Sequence, residues 1–245
     1  IEIVNRYVRG NIHLTKVDAE YPDNKLTGAT FEVYKDSNGS GKLDDGDELL
    51  GTLTEKEIGS YEMKDLFYGR YFVKETKAPE GFVLDTGVYE VMIDTDGKTC
   101  EVENKAGVGF INEAMRGNLK IVKTSSDGKI KGFAFRITGA NGYDIILETN
   151  DKGEIVIEGI RIGDYTVSEV SNSASAMYVL PADKKATVKT GSTTIVEMHN
   201  VLRDTPKTGD ATNLPLLYAL AGLSAVGIAV TAFVGFKKKK KEGND

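Results

Sequence analysis

The chain has 245 residues, enough for one or two domains and a tail, and its formal net charge is −6. No basic face interleaved with aromatic residues is present, which argues against nucleic acid as a partner. One cysteine, Cys100, excludes a disulfide framework. Short β-rich runs separated by Gly, Asp and Asn turns indicate an all-β protein made of sandwiches.

A duplicated stretch divides the chain into two units. Residues 5–16 and 112–123 share five identities at one constant offset, which is the signature of repeated structural units. We interpret each copy as the last strand of one domain, a short Arg-Gly joint and the first strand of the next. The chain starts inside a strand pattern without an initiator Met, so residues 1–9 are expected to close a domain that lies upstream. The shared residues are Asn5, Arg9, Gly10, Asn11 and Lys16, which recur as Asn112, Arg116, Gly117, Asn118 and Lys123.

Strand signals define the two predicted sandwiches as residues 10–113 and 114–201. The second unit repeats the strands of the first with shorter loops and closes on a strand at 193–200. Changing offsets between common strands indicate loop insertions, which sandwich repeats tolerate. In the first unit the predicted strands are 11–17, 30–35, 48–54, 60–64, 69–75, 88–93 and 99–112.

Three polar side chains in each unit fall on faces that are otherwise apolar. Because strand side chains alternate between faces, Lys16 shares its face with Ile12 and Leu14. The same alternation places Glu75 and Asn112 on core-facing rows. The second unit repeats the set as Lys123, Glu169 and Asn200.

The chemistry open to such a set follows from burial. Desolvation lowers the pKa of a lysine and raises that of a glutamate by up to ~3–5 units. A neutral amine is a nucleophile, and a protonated carboxyl polarises an amide and relays protons. Attack on the Asn carboxamide would release ammonia and leave an amide cross-link, helped by effective molarities of ~10⁵–10⁸ M. The alternative is a buried Lys–Glu ion pair capped by the Asn, and the recurrence of the set favours the cross-link.

Segment 71–82, Tyr-Phe-Val-Lys-Glu-Thr-Lys-Ala-Pro-Glu-Gly-Phe, resembles the E-box of Cna B-type, SpaA-like domains of Gram-positive surface proteins. Segment 14–18 is similar to the first strand of that family. The resemblance covers residues 10–201 and implies Ig-like, prealbumin-like sandwiches with self-formed isopeptide bonds. It implies attack of Lys16 on Asn112 with Glu75 assisting. The second unit lacks the Thr-x-Ala-Pro-x-Gly continuation after Glu169, so less of the motif supports its Lys123–Asn200 bond.

Residues 36–47 match the oxygen-ligand spacing of an EF-hand loop, with Gly41 at position six. Asp47 stands where a bidentate Glu is usual, and no flanking helices are expected. Calcium is one interpretation and an acidic hairpin loop is the other; no other cofactor is indicated. The candidate ligands are Asp36, Asn38, Ser40, Asp44 and Asp47.

The C-terminal tail predicts a membrane anchor that is later removed. Residues 214–236 are apolar and long enough to span a bilayer at ~1.5 Å per residue, and the basic tail 237–245 follows. Within the linker 202–213, the sequence Thr205-Pro206-Lys207-Thr208-Gly209 resembles the LPXTG-type sorting signal, with Thr where Leu is usual. The resemblance implies that a sortase joins Thr208 to peptidoglycan or to a pilus subunit and releases the transmembrane helix.

Together these features predict the stalk of a sortase-anchored adhesin on a Gram-positive cell wall, which crosses the membrane only before sorting. The alternative is a minor or terminal pilus subunit that itself binds a host ligand. A polymerising backbone is disfavoured, because segment 21–24 has Asp23 where a pilin-type linking lysine would stand. A surface enzyme would need a catalytic domain upstream, and any host extracellular-matrix ligand is expected to be bound there too.

Overall fold

The computed structural model describes residues 6–204. In this part of the chain, seventeen β-strands and one short 3-10 turn form two β-sandwiches, which confirms the all-β expectation. Between residues 6 and 204 no helix is both long and apolar enough to cross a membrane. The helix predicted at 214–236, the basic tail, and the start of the strand expected at 1–9 lie outside the described residues.

The first sandwich packs two antiparallel-rich sheets face to face. Its strands are β1 (Arg9–Asp18), β2 (Thr30–Lys35), β3 (Glu48–Thr52), β4 (Thr54–Glu57), β5 (Ser60–Phe67), β6 (Gly69–Lys77), β7 (Val88–Ile93), β8 (Thr99–Glu101) and β9 (Phe110–Asn112). One sheet has the order β4-β5-β1-β8, with β9 also paired to β1, and the other has the order β3-β2-β6-β7.

The second sandwich repeats this plan. Its strands are β10 (Arg116–Ser125), β11 (Ala134–Gly139), β12 (Asp144–Glu148), β13 (Glu154–Arg161), β14 (Gly163–Val170), β15 (Tyr178–Val179), β16 (Lys184–Val188) and β17 (Thr193–Leu202). Its sheets have the orders β13-β10-β17-β15 and β12-β11-β14-β16, and the 3-10 turn Ala140–Gly142 follows β11.

Each core is built from alternate positions of facing strands. In β1, Ile12 and Leu14 are fully buried while their neighbours are only partly buried, as period-2 alternation predicts. Phe31 of the opposite sheet meets Phe110 edge-on at 4.9 Å between ring centroids. Such edge-to-face pairs stabilise a core beyond the area that they bury.

The first and last strands of each sandwich lie side by side and run parallel. β10 pairs with β17 continuously from Asn118↔Thr193 to Ser125↔Asn200. In the first sandwich two short strands take the place of the single last strand beside β1. β8 pairs with β1 near Asn11, and β9 pairs with it near Lys16. Since parallel neighbours run the same way, the chain enters a sandwich at one end and leaves it at the other.

Two predicted strands are each divided in the structure. The run 48–54 becomes β3 and β4, which belong to opposite sheets, because the chain crosses between the sheets at the buried Leu53. The run 99–112 becomes β8 and β9, separated by a loop in which Lys105 and Gly109 form an isolated bridge. The predicted faces nevertheless hold, because Phe110 and Asn112 both point into the core.

The repeated Arg-Gly pair lies inside β1 and β10, so the predicted joint between domains is wrong in its position. A Cβ on Gly10 would stand 2.8 Å from the carbonyl oxygen of Lys98, and one on Gly117 would overlap that of Lys189. Backbones approach too closely here for any side chain, and this explains why glycine recurs.

The actual connection between the sandwiches is the segment 113–115, and it is hydrogen-bonded on both sides. Val83 N donates to Glu113 O at 2.8 Å, and Met115 N donates to Gly81 O at 2.8 Å. Ile162 N of the second sandwich donates to Met115 O at 3.0 Å. The E-box continuation after Glu75 therefore forms part of the junction between the two domains.

Candidate functional site

Lys16 and Asn112 lie on neighbouring parallel strands at a fixed offset. The Cα partner of Lys16 is Phe110, two residues before Asn112 on the same face. Strand spacing and rise place the two Cα atoms ~8 Å apart, within reach of a lysine side chain. Nζ of Lys16 donates to Phe110 O at 3.0 Å, so the amine points towards the strand that carries the Asn. The exposed fractions of Lys16 and Asn112 are 0% and 3%.

Glu75 reaches the same point from the facing sheet. It lies on β6, is fully buried, and has Phe31 as its Cα partner on β2. Asn112 Nδ2 donates to Glu75 Oε2 at 2.8 Å and to Val83 O at 2.7 Å. Asp85 N donates to the same Oε2 at 2.8 Å. The carboxyl is therefore held against the amide before any reaction.

Two buried oxygens of this pair have no hydrogen-bond partner among residues 6–204, namely Glu75 Oε1 and Asn112 Oδ1. Buried polar atoms are normally satisfied, so each such atom calls for an explanation. A proton on Oε1 would provide a donor, and Oδ1 is the free acceptor on the side chain already bonded to Glu75. Two-point pairing between a neutral acid and an amide satisfies both atoms.

The charges at the site are shifted towards the neutral forms. Burial lowers the pKa of Lys16 to about 8, against the opposing effect of the carboxylates of Glu75, Asp85 and Asp18. Burial also raises the pKa of Glu75, although the hydrogen bond from Asp85 N, that from Asn112 and the charge of Lys16 oppose the rise. A neutral amine facing a protonated carboxyl is the combination that amide attack requires.

The second sandwich repeats the arrangement at β10, β14 and β17. Lys123 and Asn200 have the same register as the first pair, and Asn200 Nδ2 donates to Glu169 Oε1 at 2.6 Å. Glu169 Oε2 and Asn200 Oδ1 again lack a partner among the described residues. Burial lowers the pKa of Lys123 and raises that of Glu169.

The two lysines differ in direction. Nζ of Lys123 donates to the carbonyl of Thr124 on its own strand and lies 4.2 Å from the Phe133 ring centroid. Lys16 instead donates across to β9. In the described part of the chain, neither amine lies within 4.0 Å of a carboxylate oxygen. This geometry disfavours the alternative of a buried Lys–Glu ion pair.

The family described as "SpaA: Prealbumin-like fold domain" matches residues 10–106 and 117–202, which together make up most of the chain. The chain belongs to this family. Each match corresponds to one sandwich, and each SpaA domain holds one buried set of lysine, glutamate and asparagine.

Relatives of these SpaA domains occur in longer proteins. The trypsin-resistant surface T6 protein of Streptococcus pyogenes serotype M6 is 25% identical over 180 residues, which cover 61% of this chain and 32% of the relative. The Bacillus anthracis TIE protein aligns with a TM-score of 0.58 and 23% identity, over 80% of this chain and 34% of that one. The structure of GBS52, the minor pilin of Streptococcus agalactiae, aligns with a TM-score of 0.38 and 18% identity, over 82% of this chain and 99% of that one. The chain spans about a third of the T6 and TIE proteins.

Two further residues of the first SpaA site, Asp85 and Asn104, could not be identified from the sequence. Asp85 accepts hydrogen bonds from Tyr89 Oη at 2.8 Å and Asn104 Nδ2 at 2.6 Å. Asn104 also bonds both backbone groups of Ile111, at 2.7 and 2.8 Å, which fixes β9 next to β1. Asp85 and Asn104 lie in loops, where no periodic pattern could have revealed them.

In the loop proposed for calcium, residues 36–47, the first candidate ligand is already bonded to other groups of the protein. The Asp36 side chain is almost fully buried, accepts bonds from the backbone N–H groups of Ser40 and Gly41, and pairs with Arg70 at 3.4 Å. Between residues 6 and 204, no group of three or more His, Cys, Asp or Glu side chains is placed to hold a metal. Calcium at Asp36, Asn38, Ser40, Asp44 and Asp47 therefore stays a prediction from the sequence. The sorting-signal residues 205–209 lie outside the described residues.

Proposed function

We propose that each SpaA domain joins its first and last strands by an amide bond between Lys and Asn, and that the two domains form a stalk of a surface protein. The observation that carries this proposal is the buried set of lysine, hydrogen-bonded glutamate and asparagine, found in the same register in both domains.

In the first domain the reaction balances with the residues present. The lone pair of Lys16 Nζ attacks Cγ of Asn112, so the Nζ–Cγ bond forms and the Cγ–Nδ2 bond breaks. Glu75 donates a proton towards the amide and takes one from the amine, and Nδ2 leaves as ammonia. Glu75 ends the reaction in its starting protonation state.

Burial of the amine and the amide next to each other lowers the barrier to the attack. Holding amine and amide side by side replaces an encounter in solution, which is worth up to ~7–11 kcal/mol of the barrier. The hydrogen bond from Asn112 Nδ2 to Glu75 Oε2 holds the acid beside the amide, so a proton on Glu75 Oε1 would stabilise the charge that develops on Asn112 Oδ1. The same dry surroundings increase the neutral fraction of the amine, because they penalise the ammonium form and lower the pKa of Lys16 to about 8.

The second domain is proposed to react more slowly. The amine of Lys123 must turn away from the Thr124 carbonyl before it can approach Asn200. The glutamate is also less enclosed, since Glu169 is 8% exposed and Glu75 is fully buried.

The stalk role rests on topology and on the sequence outside the described residues. Parallel first and last strands send the chain end to end through each domain, and hydrogen bonds fix segment 113–115 between them. One relative is described as a trypsin-resistant surface protein, which agrees with a protease-resistant, cell-surface role. We propose that a sortase links Thr208 to peptidoglycan or to a pilus subunit, and that a ligand-binding head lies elsewhere in the protein.

Intact mass spectrometry tests the bonds. Each completed bond makes the chain lighter by one ammonia, and peptide mapping assigns the loss to Lys16–Asn112 or to Lys123–Asn200. Glu75→Ala should restore one ammonia and leave the second bond in place. Glu90→Ala, which changes an exposed glutamate that pairs with Arg70, is the matched control and should keep both losses. An unshifted wild-type mass would contradict the proposal.

Attachment is tested separately with a sortase and the full chain. Thr208→Ala should abolish covalent linkage to cell-wall material while both ammonia losses remain. A single wall-linked species supports the stalk, whereas incorporation into a ladder of multimers on a denaturing gel would instead support the pilus-subunit alternative.

A further inference from the structure

The first site holds one buried acid that the proposed reaction does not use. Asp18 lies two residues after Lys16 on the same face of β1, and it is the direct Cα partner of Asn112. Its exposed fraction is 2%. At the equivalent position the second domain has Ser125, the Cα partner of Asn200. At this position the first site has a carboxylate and the second has a hydroxyl.

The charge that balances Asp18 comes from the second domain. Arg161, at the end of β13, binds the Asp18 carboxylate with both Nη atoms, at 2.6 and 2.7 Å. Its Nε also donates to Glu20 at 2.8 Å, and its guanidinium lies 4.8 Å from the Tyr21 ring centroid. Arg161 is held in the second domain's sheet by pairing with Arg116 on β10. A bidentate arginine pair of this kind is stronger and more directional than an ordinary ion pair.

An unbalanced carboxylate at this place would oppose the reaction. Three carboxyl groups act on the Lys16 amine and favour its charged form: Glu75, Asp85 and Asp18. Glu75 works as the neutral acid, and Asp85 is tied to three hydrogen-bond donors in its own domain. Asp18 is the one of the three that an arginine neutralises, and that arginine arrives only when the second domain has folded and docked.

We propose that Arg161 is a positioning residue for the cross-link of the preceding domain: by holding the Asp18 carboxylate it withdraws a negative charge from Lys16, so the Lys16–Asn112 bond forms efficiently only after the second domain is in place. This inference rests on the proposed isopeptide chemistry and adds an order of events to it. A chain whose two domains dock incorrectly would form the Lys16–Asn112 bond slowly, and a correctly docked chain would form it efficiently.

The test follows the ammonia loss over time. Full-length chain recovered unfolded and unreacted from inclusion bodies is diluted from denaturant, quenched at intervals and mapped by peptide mass. Arg161→Gln should slow the Lys16–Asn112 bond about tenfold, because an opposite charge within ~4–6 Å shifts a pKa by about one unit or more. The pH above which the rate of bond formation falls should also be higher in Arg161→Gln than in the wild type. A purely structural defect would not cause this shift.

Two further variants separate charge from docking. Asp18→Asn added to Arg161→Gln removes the carboxylate but keeps an acceptor for the Glu20 and Tyr21 N–H groups, and it should restore the wild-type rate. Glu20→Gln, which removes the carboxylate that pairs with Arg161 and Arg116 but leaves the Asp18–Arg161 pair in place, should leave the rate unchanged. A wild-type rate in Arg161→Gln, or a double variant as slow as the single one, would overturn the inference.

These outcomes do not overlap with failure of the proposed function. If the wild-type chain never loses ammonia, the isopeptide proposal itself is wrong. If the wild type reacts and Arg161→Gln reacts equally fast, the cross-link stands and only the role of Arg161 is lost.

Discussion

Lys16 lies one strand across from Asn112 and two residues short of it, and the side chains share one buried face. Because their strands are the first and last of the domain and run parallel, a bond between them would connect the chain's entry directly to its exit. The same offset separates Lys123 from Asn200. The consequences concern the pH at which the bond forms, the stability of the unlinked fold and the response to force.

The rate of bond formation in the first domain should depend on pH in a defined way. The reactive state needs a neutral Lys16 and a protonated Glu75, whose pKa values are lowered to about 8 and raised by burial, respectively. Between the two pKa values the gain in neutral amine cancels the loss of protonated acid, so the rate should be nearly flat. It should fall below the Glu75 pKa and fall about tenfold per pH unit well above pH 8.

Refolding unreacted chain across a pH series, with intact mass as the readout, measures this profile. Glu90→Ala should reproduce the wild-type profile, since the Glu90 side chain is exposed and pairs with Arg70. A rate that keeps climbing beyond pH 9 would show that Glu75 does not act as an acid.

Alternation along the strands was enough to predict that the lysine, glutamate and asparagine of each domain face its core. One buried face with a period of two residues fixes where each side chain points. Asp85 and Asn104 could not be predicted, since loop positions have no such periodicity. The contact between Asp18 and Arg161 joins residues far apart in the chain and depends on how two domains pack. No single-strand pattern carries that information.

The division of the predicted strand 48–54 has a similar cause. Its residues have strand character throughout, and only the exchange of sheets at Leu53 separates β3 from β4. Gly51 has a φ of +133°, a conformation that favours glycine, and it lies two residues before Leu53, where the chain changes sheet. A change of sheet is set by the packing of both layers and is not written in local propensity.

Placing an unbalanced acid in the second site should slow its reaction. Ser125→Asp puts a carboxylate where Asp18 stands in the first domain, at the Cα partner of Asn200 and beside Asp127, to which the Ser125 hydroxyl donates. We expect the Lys123–Asn200 bond to form about tenfold more slowly, because the added charge favours the ammonium. Peptide-mapped ammonia loss during refolding measures it.

Ser125→Asn is the neutral control of similar size and should react close to the wild-type rate. The Lys16–Asn112 bond in the same molecules serves as an internal reference. Equal rates for the aspartate and asparagine variants would contradict the electrostatic argument.

Burial of Lys16 should make unlinked protein gain stability with rising pH, relative to a chain that lacks this amine. In Asn112→Ala the Lys16 amine is buried but unreacted, with a folded-state pKa of about 8 against an ordinary value of 10.5. The unfolded chain then binds more protons at this residue between these values, so Lys16 adds about 2–3 kcal/mol to the free energy of unfolding across this window. Buried tyrosines such as Tyr61 and Tyr89, whose pKa values burial raises to about 12, lower the stability of every variant at alkaline pH, so the gain is the difference from a chain without the amine. Urea unfolding at pH 8 and at pH 10.5 measures the change.

The wild type should show no pH-dependent contribution from Lys16, because its amine is consumed in the proposed amide and no longer titrates. Asn112→Ala combined with Lys16→Met removes the amine and should likewise lose the rise. If the double variant gains as much stability with pH as Asn112→Ala alone, another group is responsible.

Pulling on the ends of the chain should show where the force travels. In the cross-linked first domain, force passes from Lys16 to Asn112 through the amide, so the residues between them stay folded. Without the bond, unfolding would release a segment that extends to about 330 Å at ~3.4 Å per residue. Single-molecule force spectroscopy should therefore record a lengthening of that order for Glu75→Ala, and none from this segment in the wild type. The Glu90→Ala control should behave as the wild type does, and a wild-type chain that yields the full lengthening would refute a covalent strut.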